Sequence, residues 1–246
     1  MPTAILIDGG YFIKRFRAIE PQNAMDAGRA ADCAFRWACA HLSPKAAGHS
    51  GDRKDATQQS RRELYRIFFY DCPPLINKLH NPITKRVVDF SRSDEAQFRL
   101  ELHRRLRSMR KVALRLGHLS THVQWTIKQD RITDMLKGKL KLEELTEHDV
   151  IPNVRQKGVD MRIGVDVSSL AFKRQVDQIV LLAGDADFVP SAKQARREGI
   201  DFVLDPMWAQ ISESLQEHID GLRSTCPRPR PKQPKAILQP AVDLVV

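Results

Sequence analysis

At 246 residues, with 42% hydrophobic and 28% charged residues, the chain can build one sizeable α/β domain carrying an insertion, and its composition is that of a soluble globular protein. Forty Lys and Arg against thirty Asp and Glu leave a formal charge of +10, which favours polyanionic partners. No run reaches the apolar length of a membrane span and no charged-then-apolar leader is visible, so a cytoplasmic protein with no membrane contact is expected.

The first strand is read at residues 3–8, Ala4-Ile5-Leu6-Ile7 ending in Asp8-Gly9-Gly10, with a helix from Tyr11 to about Ile19. A second amphipathic helix runs from about Ala27 to Leu42, and the polar, aperiodic stretch 43–60 reads as a surface loop. Leu64–Tyr70 is the second strand, ending in Asp71 before Pro73-Pro74, a pair that gives Asp71 a turn role. From about Asp94 to Leu116 the spacing predicts one long helix with Phe98, Leu102, Leu106 and Met109 on its apolar stripe. Its other face carries Arg99, Arg104, Arg105, Arg107, Arg110, Lys111 and Arg115. Two readings of that face stay open, a solvated surface or a track for a nucleic-acid backbone.

His122–Ile127 alternates as a third strand, Lys137–Lys141 marks an exposed turn, and a helix spans Met161 to about Lys173 with Asp160 at its start, where an acid can cap free N–H groups. The fourth strand, Ile179–Ala183, is apolar throughout, as expected of a strand buried on both faces, and it ends in Gly184-Asp185-Ala186-Asp187-Phe188. A short helix closing at Gly199, a fifth strand at Ile200–Leu204 and a last helix from Ile211 to Leu222 follow. The expected division is a domain over 1–222 and a proline-rich basic tail over 223–246, whose apolar end leaves a protein partner or a homo-oligomer open.

Strand, tight turn and helix repeat at Asp8 and at Asp185. In an open parallel sheet both acids would stand beyond the carboxyl ends of strands, where such folds bind ligands. Clustered carboxylates repel unless a proton or cation is present, and they suit Mg²⁺ or Mn²⁺. Cys33, Cys39, Cys72 and Cys226 form no Cys-x-x-Cys pair, and the eight histidines lack a metal-binding helical spacing, so any metal falls to the acids. Each acid also has a plain structural role open to it, as turn acceptor (Asp8) or helix cap (Asp160, Asp187). Asp166, six residues after Asp160, points away from it on the same helix.

Taken together, Asp8-Gly9-Gly10, Lys157-Gly158-Val159-Asp160 and Gly184-Asp185-Ala186-Asp187-Phe188 resemble the NYN domain of the PIN-like nuclease superfamily, in particular its LabA-like branch, over residues 3 to 207. The resemblance implies a three-layer α/β fold, with an open parallel sheet of strand order 3-2-1-4-5 and helices on both faces. It also implies metal-dependent ribonuclease activity, with Asp8, Asp160, Asp185 and Asp187 as catalytic and metal-binding residues, Mg²⁺ or Mn²⁺ as cofactor and RNA as partner. Many members carry Asn three residues after the first Asp, where this chain has Tyr11. Lys14 and Lys157, with Arg104, Arg107 and Lys111 from the cationic helix, are the candidate RNA contacts. The alternative is a non-catalytic RNA-binding or regulatory module that keeps the acidic pocket. Small-molecule phosphohydrolases fit less well: a haloacid-dehalogenase-like site needs Asp at the position of Gly10, and a Toprim-type site needs Glu at Asp8.

Overall fold

The apolar segment around Ile5 forms the centre of a parallel sheet, because its side chains are buried on both faces. The computed structural model describes residues 2–43, 61–120 and 123–229. In chain order these form β1 (Pro2–Asp8), α1 (Gly9–Ile19), α2 (Ala27–Ala40), β2 (Glu63–Asp71), β3 (Lys78–His80), β4 (Val87–Asp89), α3 (Asp94–Ser108), β5 (Val112–Leu116) and β6 (His118–Leu119). There follow β7 (Gln124–Ile127), α4 (Gln129–Leu136), β8 (Val150–Asn153), β9 (Gln156–Lys157), α5 (Val159–Phe172), β10 (Gln178–Leu182), α6 (Val189–Arg197), β11 (Asp201–Asp205), α7 (Glu213–Gln216) and β12 (Gly221–Leu222). The expected loop beyond residue 43 and the tail beyond residue 229 lie outside the described residues.

Six strands pair in the order β12-β11-β10-β1-β2-β5, all parallel. This is the expected 3-2-1-4-5 order extended by one short strand. The period of two along each strand separates two cores. Ile5, Ile7, Ile67, Phe69, Val180 and Leu182 face α1, α2 and α3. Ala4, Leu6, Phe68, Tyr70, Ile179, Leu181, Phe202 and Leu204 face α5 and α6. On the first side Phe12 packs against Phe16, Trp37 and Phe69 with ring centroids 5.7–6.0 Å apart.

The structure corrects three sequence assignments. The long helix stops at Ser108: Met109 is already extended and Lys111 turns with φ 61°, after which Val112–Leu116 pairs with β2 as the third sheet strand. Leu106 and Met109 continue the helical stripe far enough to hide this break. The segment read as the third strand begins, among the described residues, at Gln124. It pairs antiparallel with β8 in a separate ribbon, so it belongs to the insertion between β5 and α5. The expected last helix is only the four-residue α7, and Gly221–Leu222 joins the sheet beside β11. Residues 223–229 pack on the body: Cys226 is buried in the first core, and the Thr225 hydroxyl donates to the Trp37 carbonyl at 2.8 Å.

Phe12→Ala, at the hub of the aromatic cluster, should cost about 3–5 kcal/mol, while Phe172→Ala on the exposed face of α5 should stay within about 0.5 kcal/mol. Urea unfolding followed by circular dichroism reads both.

Candidate functional site at the carboxyl edge of the sheet

Parallel strands deliver their carboxyl ends to one rim. Ile7 is in register with Leu182, so the residues that follow β1 and β10 leave the sheet side by side. Asp8 caps α1, its Oδ1 accepting the Tyr11 amide at 3.1 Å. Asp185 caps the short turn Ala186–Phe188, accepting the Asp187 amide at 3.1 Å. Asp160 lies in the first turn of α5, whose cap is Gly158 at φ 78° rather than Asp160 itself. The acceptor role foreseen for Asp8 is therefore filled, Asp185 takes a capping role that was not foreseen for it, and the second oxygen of each carboxylate is left to spare.

Electrostatics tie the four acids together. Burial pushes the Asp8 carboxyl up to about 6, with the charges of Asp160 and Asp71 adding to the rise and the Tyr11 and Gly10 amides opposing it. Burial first, then the charges of Asp185 and Asp187, raises the Asp160 carboxyl above its ordinary value. Among the described residues none of the four has a Lys, Arg or His partner. Two other acids on the same rim are fully buried and fully answered. Asp71, ending β2, binds Arg99 and His103, the latter at 2.8 Å. Asp205, ending β11, binds His41 at 2.8 Å and accepts the Met207 amide at 2.7 Å.

This contrast is the test of whether a divalent cation fits. The unanswered acids are hard oxygen donors of uniform charge, gathered at a strand-end rim, and that donor set suits Mg²⁺ or Mn²⁺. Among the described residues no three His, Cys, Asp or Glu side chains are disposed to hold an ion together. Mg²⁺ binds through one or two carboxylates and keeps several waters, so a complete protein cage is not required.

The positions of the expected RNA contacts divide. Lys157, in β9, adjoins the start of α5 next to Asp160, and Lys14 projects exposed from α1. Arg104, Arg107 and Lys111 lie elsewhere. Helix α3 returns from the carboxyl edge, where Arg99 meets Asp71, to the amino edge, where Lys111 Nζ donates to the Leu64 carbonyl near the start of β2. A connection between the parallel strands β2 and β5 must run back this way, so the cationic end of the helix points away from the aspartates. Arg104 is further held by Glu101 at 2.6 Å.

Tyr11 does not fill a polar place in the acid cluster. Its hydroxyl donates to the Pro206 carbonyl at 2.6 Å, and its ring lies where a Cβ on Gly184 would come within 2.6 Å of it. Burial pushes that hydroxyl up to about 12, so it stays a neutral donor. Arg15 grips the neighbouring Met207 carbonyl, and Met207 and Trp208 are held at φ 47° and 65°. One aromatic side chain thus clamps the ends of β1, β10 and β11. The sequence reading did not assign Arg99 and His103 to Asp71; four apart and flanking the apolar stripe of α3, they face inward with it.

Comparison with known proteins decides the family. The NYN domain model matches residues 88–224, more than half of the chain. The chain belongs to the NYN domain family. Asp160, Asp185 and Asp187 of this NYN protein lie within the matched span, whereas Asp8 and Tyr11 precede it. No curated protein matches. A crystal structure of a protein of unknown function from Vibrio parahaemolyticus is similar at 14% identity over 90% of each chain, with a TM-score of 0.42.

Gly184→Ala should destabilise by about 1–3 kcal/mol through its clash with the Tyr11 ring, and the Gly184→Ala/Tyr11→Asn pair should be less destabilised than the sum of the two single changes. Thermal unfolding of the four proteins measures the coupling. Asp8→Asn tests the raised carboxyl. A folded-state value above the unfolded one favours folding while the group is protonated, and that advantage is lost as pH rises from about 4 through about 6. In metal-free buffer Asp8→Asn, whose amide oxygen can still cap Tyr11, should therefore stabilise on the order of 2 kcal/mol at pH 8 and change little at pH 4. Denaturant titrations across that range check the sign.

Proposed function

We propose that this NYN domain, read here as a member of the LabA-like branch, hydrolyses RNA phosphodiester bonds, with Asp8, Asp160, Asp185 and Asp187 holding Mg²⁺ or Mn²⁺. The observation that carries the reading is the division of acids on one rim. Asp71 is paired with the Arg99 guanidinium and His103, and Asp205 with His41, while among the described residues the four proposed ligands have no such partner. Net like charge at a strand-end rim costs folding energy, and a site that must take a dication supplies a reason to retain it.

When bound, the cation supplies neutralisation of the phosphate and a water of lowered pKa. The chain's own residues do the rest. Asp8, partly buried and held by the Tyr11 amide, fixes one carboxylate against the sheet, and Asp185 is fixed by its turn. Asp160 and Asp187 are exposed at the start of α5 and in the turn after β10, where each can accept from water or orient it. Lys157 and Lys14 are exposed cations suited to holding flanking phosphates. RNA fits the positive net charge as well, and no helix among the described residues is long and apolar enough to cross a membrane.

The second reading, an RNA-binding module without turnover, takes its support from Tyr11, whose hydroxyl is committed to Pro206 and contributes no polar group to the acids. Incubation of labelled RNA with Mg²⁺ or Mn²⁺ separates the two. Cleavage by the wild type should fall roughly 10²-fold or more in Asp185→Asn, since several kcal/mol of charge stabilisation is at stake. Equal cleavage by both proteins would place the activity elsewhere, and RNA binding with no cleavage by either would select the module.

A further inference from the structure

Next to the aspartates lies a concavity that the acid chemistry does not use. A cavity of about 230 Å³ opens between the loop after β2, the first turns of α3 and the strand pair formed by the insertion. Pro74, Phe90, Leu119, Pro152 and Val154 supply apolar walls, and Glu95, Arg99 and Gln156 supply polar groups. The walls are stiff: two are prolines, and Phe90 leans on Trp125 with ring centroids 6.0 Å apart. The polar floor is fixed as well. Arg99 is locked between Asp71 and Glu95, and Glu95 also takes Arg17 at 2.6 Å.

Gln156 joins this cavity to the acids. A methyl group on Gly10 would sit 3.5 Å from Asp8 Oδ1 and 3.7 Å from Gln156 Oε1, so the two oxygens flank one point at the start of α1. The Gln156 side chain is exposed and makes no hydrogen bond to another described residue, which leaves its amide free to pair with the edge of a ligand.

The size of the cavity narrows the occupant. Sites for drug-sized molecules run to about 300–1,000 Å³, and a smaller slot with flat apolar walls, one aromatic ring and a free amide suits a single planar heterocycle. A base stacked and paired within a duplex cannot enter, because both of its faces and its pairing edge are covered. We propose that this cavity takes one unpaired nucleobase of an RNA strand whose adjoining phosphate lies at the aspartates. The inference rests on the RNA reading above and adds a base-holding cavity to it.

The test uses the full-length chain. In an Asp185→Asn background, which removes turnover, fluorescence anisotropy measures binding of a short labelled single-stranded RNA and of its duplex. Val154→Trp, which fills the slot, should weaken single-strand binding about tenfold, as expected for loss of one stacked base, and leave duplex binding unchanged. Gln156→Ala, on an exposed residue that the fold does not need, should weaken it about threefold and alter the preferred base at one position. Equal losses on single strand and duplex, or no loss with either variant, would overturn the proposal. Cleavage assays with Asp185 intact keep the two readings apart. An inactive wild type together with the selective binding losses would remove the nuclease and leave the base slot. Wild-type kcat/KM on single strands for both slot variants would remove the slot and leave the nuclease.

Discussion

Like charge at the end of a parallel sheet is the constraint on which this structure turns. Every strand of such a sheet points the same way, so any acid that follows a strand reaches the same rim, and β1, β2, β10 and β11 each bring at least one. The chain handles them in two ways. Asp71 and Asp205 are taken out of water and matched, with Arg99 and His103 from α3 around one and His41, at the end of α2, with the Met207 amide, around the other. Removing such a partner would strand a buried charge, which is far more costly than the pair is stabilising. The remaining acids have no cationic partner among the described residues, and all but the partly buried Asp8 are exposed. The pairs are thus framing elements: they fasten the end of α2 and the length of α3 to the rim.

Tyr11 shows how tightly the rim is tied together. Its amide serves Asp8, its ring needs the missing side chain of Gly184, and its hydroxyl serves Pro206 in the loop after β11. Gly184 stands directly before Asp185, so the glycine of that motif is required by a packing contact from another strand, not by a left-handed turn. A polar residue at position 11 would free the rim of this clamp, and the loop after β11, with two successive residues in the left-handed region, would lose the contact that offsets its strain.

How much of this could be read from the residues depended on where the information was stored. Strands β1 and β10 were legible because apolar runs of this length bounded by Gly and Asp have few other solutions, whereas the strand order that sets Asp8 beside Asp185 came only with the resemblance to the NYN domain. The third sheet strand was not legible, because Val112 and Leu116 fall where the apolar stripe of α3 would continue, and the extended Met109 and left-handed Lys111 that end the helix are not turn-forming residue types. The partners of Asp71 were equally hidden. Arg99 looked like one more cation on a basic helix, and nothing local to it reports an acid 28 residues earlier in the chain. Long-range pairs of this kind are set by how α3 lies on the sheet, which is a tertiary fact.

The same logic revises what the basic composition means. Along α3 and β5, Arg99, Arg104, Arg105, Lys111 and Arg115 all have acidic partners, and Arg115 also lies over the Phe68 ring. Arg107 and Arg110 are the members of that series without an ion pair among the described residues, and they sit where the helix has returned to the amino edge. A counted excess of positive charge therefore overstates the field at any one place: most of the cations in this series neutralise neighbours. What distinguishes the candidate site is the reverse condition, a short arc of rim where acids from β1, α5 and the turn after β10 stand with no such neighbour, bordered by Lys157 and by a slot whose charges are already spent on one another. On the proposed reading a polyanion finds its specific contacts at that arc, and the surplus charge elsewhere sets only how often it arrives.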